Sequence, residues 1–169
     1  MGRLLLLDAS SLLIIRNITR PDCLNELLAE VTMHLQKGDI GFPKEVANEL
    51  KIIGRYEPVT HWSVGLGKSL KQYAAHFNHV SNVMEVIADL GFDEGIDKPD
   101  GSEPSLPYAA AAAFRFHSSG RDCCVVSEDT GFLPHRPSME QLCNALGCSM
   151  IRTREALSEL GLDRHLVQA

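Results

Sequence analysis

Apolar positions along this chain fall into two patterns: short unbroken runs, and longer segments in which they recur every three or four residues. Leu4-Leu5-Leu6-Leu7, closed by Asp8-Ala9-Ser10-Ser11, belongs to the first kind. A brief apolar run ended by a polar turn predicts a strand buried on both faces of a parallel sheet. Asp122-Cys123-Cys124-Val125-Val126-Ser127 predicts a second such strand, ending in Glu128-Asp129-Thr130-Gly131. Asp39–Phe42 and Cys148–Ile151 predict two shorter ones. Between them lie segments of helical period. A short helix is expected over Ser10–Asn17. A second opens at Thr19-Arg20-Pro21-Asp22, with Thr19 or Asp22 as its cap, places Leu24, Leu27, Leu28, Val31 and Leu35 on one face, and stops at Lys37-Gly38. Pro43 opens a third, with Val46, Leu50 and Ile53 facing inward and Glu49 at the border of that face.

Lys68 to Leu90 reads as one longer helical stretch carrying Leu70, Tyr73, Phe77, Val80, Met84 and Ile87 inward. The alanine run up to Phe116, Ser138–Leu146, and a Thr153-capped segment ended by Gly161 complete the helices. The segment 91–107, with three prolines and five acidic residues, reads as a loop and as the part of the fold expected to move most. Strands alternating with helices predict an α/β fold: a central, mainly parallel sheet flanked by helices, in one domain spanning 1–169.

Composition narrows the setting. A chain of 169 residues suits one domain, and 16 basic against 22 acidic residues leave a net charge of −6. That excludes a generally basic nucleic-acid-binding surface while leaving room for a local one. The five cysteines are odd in number and two are adjacent, so core thiols are expected rather than a disulfide framework, and a reduced, cytoplasmic setting follows. The opening leucines are too few to span a bilayer and lack a cleavage signal, so no membrane partner is expected.

Candidate chemistry sits at the strand ends. A carboxylate at the C-terminal tip of a parallel strand lies where open α/β sheets gather their ligands. Asp8 and Asp129 both occupy such tips, with Ser10 beside the first and Ser127 and Thr130 around the second. Each aspartate is there to hold a cation or a phosphate, or to cap a helix. Glu49 can reach the same edge from the third helix, whereas Glu45 is its solvent-facing counterpart. Glu103, ahead of the alanine helix, suits the positive end of a helix dipole. Three or four carboxylates within about 4 Å repel by roughly 4 kcal/mol per ionised pair at an effective dielectric near 20. A divalent cation offsets this, and an all-oxygen set suits Mg²⁺ or Mn²⁺. His76 and His79, three residues apart, have no third ligand nearby.

Four segments, in this order and spacing, resemble the PIN-domain nucleases: Leu4-Leu5-Leu6-Leu7-Asp8-Ala9-Ser10, Pro43-Lys44-Glu45-Val46-Ala47-Asn48-Glu49-Leu50, Glu103-Pro104-Ser105-Leu106-Pro107-Tyr108-Ala109-Ala110-Ala111, and Val125-Val126-Ser127-Glu128-Asp129. The resemblance implies a PIN-like fold and metal-dependent hydrolysis of RNA phosphodiester bonds, with Mg²⁺ or Mn²⁺ held by Asp8, Glu49, Glu103 and Asp129. Ser10 and Ser127 would fix a carboxylate or contact phosphate. It also implies a role as the toxin of a toxin–antitoxin pair, hence an antitoxin protein as partner, and a homodimer. One departure stands out: the family's third acid is usually aspartate, whereas here it is Glu103, with Asp100 as the alternative. This leaves a second reading open, a weak or inactive PIN-like scaffold that binds RNA or a protein without cutting. RNA backbone contacts are expected from Arg16, Arg20, Lys44, Lys51, Arg55, Arg152 and Arg154.

Overall fold

A computed structural model describes residues 2–53, 57–99 and 103–169. Its centre is a four-stranded sheet of β1 (Leu4–Leu7), β2 (Ile40–Gly41), β3 (Cys123–Val126) and β4 (Ser149–Ile151), in the order β2-β1-β3-β4 with every pairing parallel. All four residues of β1 and of β3 are buried, as expected of strands covered on both faces. Their register, Leu4↔Cys123 through Leu7↔Val126, brings both strands to an end at the same level.

Helices α1 (Ala9–Ile18), α2 (Leu24–Lys37), α3 (Lys44–Ile53), α4 (Pro58–Gly65), α5 (Phe77–Asp89), α6 (Leu106–Ser118), α7 (Met139–Leu146) and α8 (Thr153–Glu159) surround the sheet. The alanine run makes α6 a close-packing helix: Ala109 to Ala113 are all buried. Gly38 ends α2 in the left-handed region at φ +88°, where a side chain would be strained. The five thiols are free, and burial pushes that of Cys123 up to about 11. Among the described residues no helix is long and apolar enough to cross a membrane.

Several expectations need correction. The stretch from Lys68 to Leu90 is not one helix: a 3₁₀ turn over Gly67–Tyr73 gives way at Ala74–His76 to α5. Phe77, assigned inward, starts α5 and is 87% exposed, and Ile53 at the end of α3 is 51% exposed. Helix α4 carries no clear apolar period and was not expected. Neither Thr19 nor Asp22 caps α2, which begins after a 3₁₀ turn with no side-chain cap; the Thr19 hydroxyl donates to the Ile15 carbonyl instead. Thr153 is the first residue of α8 rather than its cap. Within 91–107, α6 already starts at Leu106 and Ile96 is buried in the core.

Tyr73 anchors the 3₁₀ turn against β2: it is 1% exposed, its hydroxyl donates to the Leu35 carbonyl, and its ring lies on the bare Cα of Gly41. A Cβ at position 41 would fall inside the ring's van der Waals envelope. Gly41→Ala is therefore expected to destabilise the fold by about 1–3 kcal/mol through overpacking. Urea unfolding checks this, and an unchanged midpoint would contradict it.

Candidate active site

Because β1 and β3 are paired in register, the residues that follow them emerge side by side. Asp8 is 5% exposed and fully engaged on one oxygen: its Oδ1 accepts from Ser10 Oγ at 2.7 Å and from the Ser11 backbone N–H at 2.9 Å. Its Oδ2 accepts from Ser127 Oγ, across the gap between the two strands. The two serine hydroxyls lie 3.2 Å apart, and each also receives a backbone N–H: Glu128's to Ser10 and Asp129's to Ser127. Ser10 and Ser127 thus stitch both strand ends into one network around Asp8. Burial raises the Asp8 carboxyl above its ordinary value, and the three hydrogen bonds, which favour the charged form, offset part of that; nearby Asp129 raises it further.

Each of the acids here meets a helix N-terminus. Asp8 is the N-cap of α1. The Met139 N–H, opening α7, donates to Asp129 Oδ2 at 3.0 Å. Glu128 accepts from the backbone N–H and the hydroxyl of Thr153 at the start of α8. Glu49, 9% exposed, reaches across from α3 to accept the Ser105 N–H at 2.9 Å and the Ser105 hydroxyl at 3.3 Å, at the start of α6. Such ends carry unpaired N–H groups and partial positive charge, so each carboxylate is held where it lowers the energy of a helix.

Two cations complete the picture. Arg136 donates from Nη1 to Asp129 Oδ2 at 2.7 Å and from Nη2 to Oδ1 at 3.4 Å. Lys98 Nζ lies 3.3 Å from Glu49 Oε1. Asp8, Glu49, Asp97, Glu128, Asp129, Lys98 and Arg136 line one cleft of about 620 Å³ with Ser10 and Ser105. Among the described residues no three His, Cys, Asp or Glu side chains come together closely enough to hold an ion.

The structure brings Asp8, Glu49, Asp129 and Ser10 to this cleft, with Ser127 buried directly behind Asp8. It does not bring Glu103, which is exposed, accepts from the Tyr108 hydroxyl at 2.8 Å, and is no part of the cleft wall. The role expected of Glu103 at the start of α6 is taken by Glu49. Asp100 lies outside the described residues, as does Arg55. Lys98, Arg136, Asp97 and Glu128 line the site without having been picked out from sequence. Of the expected basic contacts, Arg16 is paired with Glu57, Arg152 with Glu128, and Arg154 donates to the Val167 carbonyl. Lys44 and Lys51 are exposed.

No protein-family model, curated protein or solved structure matches this chain. The likeness to PIN domains therefore rests on the residues themselves.

A carboxyl whose value is raised on folding binds its proton more tightly in the folded chain than in the unfolded one. Its contribution to stability is full at acid pH and is lost as pH rises through the folded value. Asp8→Asn keeps an acceptor for Ser11 and gains a donor toward Ser127, while removing the buried charge. The variant is expected to melt a few degrees above wild type near neutral pH, at about 2–4 °C per kcal/mol for a chain of this size, with the gap closing as pH falls toward 4. Thermal unfolding at the two pH values checks this. A variant less stable at both would mean that the charge itself holds α1.

Proposed function

We propose that this chain is a PIN-like, metal-dependent ribonuclease whose reaction centre is the carboxylate cleft. The observation that carries the reading is the convergence of Asp8, Glu49 and Asp129, with Ser10, on one concave wall at the C-terminal edge of a parallel sheet. That edge is where ligands bind in such sheets, and three acids at one wall are what hydrolysis assisted by an oxygen-bound cation requires.

Three carboxylates are an all-oxygen donor set of the kind that suits Mg²⁺ or Mn²⁺; with Lys98 and Arg136 in place they do not close around one point, and would have to draw together to share an ion. A carboxylate offers about four acceptor positions. Asp8 uses two on Oδ1 and one on Oδ2; Asp129 uses two on Oδ2 and one on Oδ1; Glu49 uses two on Oε1, one of them for Lys98, and one on Oε2. Each is left with one acceptor position, on an oxygen that already takes a hydrogen bond. Asp8, Glu49 and Asp129 are the residues that would hold the cation, and Glu103 is left out of the set. Bound there, the ion would supply Lewis-acid activation of water and of the phosphodiester. The chain's own part is to aim the acids: Ser127 and the Ser11 N–H fix the Asp8 carboxylate, and Ser105 fixes Glu49. Lys98 and Arg136 would be freed from Glu49 and Asp129 if a divalent ion took up those oxygens, and would then be available to neutralise phosphate oxygens of an RNA strand. An antitoxin partner and a homodimer remain implications of the resemblance.

The same two ion pairs favour a second reading, in which the cleft is neutralised from within and the chain is a PIN-like scaffold that binds RNA or a protein without cutting. Cleavage of a labelled RNA panel with Mn²⁺, Mg²⁺ or EDTA separates the two. The nuclease reading expects metal-dependent cutting that falls by at least about 100-fold in Asp8→Asn. Cutting that persists in EDTA or in Asp8→Asn would contradict it. Absence of both cutting and metal-binding heat would hand the case to the scaffold.

A further inference from the structure

A second concavity, of about 720 Å³, is lined by the starts of α3 and α6, the 3₁₀ turn and α5. Its rim carries Lys44 from the first residue of α3 and Lys68 and Lys71 from the 3₁₀ turn, all exposed and, among the described residues, in no ion pair. Glu45 is the acidic lining residue, and burial raises its carboxyl above the ordinary range. Three ammonium groups face two carboxyls, Glu45 in the lining and Glu103 on the Tyr108 hydroxyl, which leaves a local excess of positive charge on a chain whose net charge is −6. At the same groove Phe77 stands 87% exposed at the start of α5, and Tyr108 of α6 and the apolar Leu70, Ala74, Ala75 and Val80 also line it.

We infer that this groove binds single-stranded RNA, with phosphates on Lys44, Lys68 and Lys71 and an unpaired base stacked on Phe77. The inference rests on the ribonuclease reading for its choice of nucleic acid. Charge complementarity selects a polyanion. A bare aromatic ring beside ammonium groups is the arrangement that holds unstacked bases along a backbone, each stack being worth about 1–3 kcal/mol. A paired helix keeps its base faces covered and cannot use the ring. Position selects the same strand that would enter the cleft: α3 presents Lys44 to the groove and Glu49, just over one turn further on, to the cleft, while α6 presents Tyr108 to the groove and Leu106 to the cleft.

The test is fluorescence anisotropy of a labelled single-stranded RNA oligonucleotide in EDTA, across a salt series, with Mn²⁺-dependent cleavage followed in parallel. The variants are Lys68→Ala/Lys71→Ala, Phe77→Ala and Phe77→Trp, all at exposed positions. The double lysine variant should bind about tenfold more weakly and lower the salt slope by about 1.4, two phosphate contacts at roughly 0.7 each. Phe77→Ala should weaken binding about five- to tenfold at unchanged slope, and Phe77→Trp should restore it. Binding that is equal in all variants overturns the groove, and leaves the nuclease standing if Mn²⁺ still supports cutting. Groove-dependent binding with no cutting sustains the groove and removes the nuclease. Displacement of the RNA by polyglutamate as readily as by an unlabelled oligonucleotide of equal charge would overturn it in favour of an acidic protein partner.

Discussion

Helix N-termini meeting carboxylates are the interaction on which the architecture around the site depends. In a parallel sheet whose strands return through helices, the helices start at the edge where the strands end, and their unpaired N–H groups gather there. In this chain α1, α6, α7 and α8 each find an acid at that edge: Asp8, Glu49, Asp129 and Glu128. Three of the four acids, Asp8, Glu128 and Asp129, lie at strand ends or in the turn just beyond, and Glu49 arrives from a neighbouring helix. The same residues therefore tie α1, α3, α6, α7 and α8 to the sheet and concentrate negative charge in one cleft. Structural and functional readings of these acids do not compete, because a carboxylate pinned by backbone N–H groups is also one that is held still for a ligand.

Charge balance in the cleft explains why Lys98 and Arg136 are where they are. Buried or half-buried carboxylates side by side repel, and burial already raises Asp8. With Arg136 on Asp129 and Lys98 on Glu49, the cleft carries its own counterions. A divalent ion in this cleft would have to compete with those two side chains. Under the proposed chemistry, external positive charge would replace the internal pair of cations.

Local pattern carried much of this far, and its limits have physical causes. Leu4–Leu7 and Cys123–Val126 were legible because strands covered on both faces need unbroken apolar runs, and Asp8, Ser127 and Asp129 were legible because they close those runs. Glu49 was legible as a carboxylate on the border of an apolar helix face. Glu103 was misleading: an acid just ahead of a helix is the local rule for capping, but here a carboxylate 56 residues earlier in the chain reaches the same N–H groups and Glu103 turns to Tyr108. Phe77 and Ile53 fit helical periods, yet period reports which face is apolar and not whether anything covers it. The break at Ala74–His76 carries no proline or glycine to announce it, so Lys68 to Leu90 reads as one helix in the sequence. Arg136 and Lys98 sit in irregular segments, where no period points anywhere.

The central claim is that Asp8, Glu49 and Asp129 share a divalent cation at the cost of two internal ion pairs. A crystal structure of the wild-type protein soaked in Mn²⁺, with anomalous differences collected, tests it directly. The account predicts a single strong peak within coordination distance, about 2.0–2.3 Å, of oxygens from all three carboxylates, with Lys98 and Arg136 turned away from Glu49 and Asp129. A cleft without a peak and with both ion pairs intact, in crystals that bind Mn²⁺ elsewhere or not at all, would contradict it.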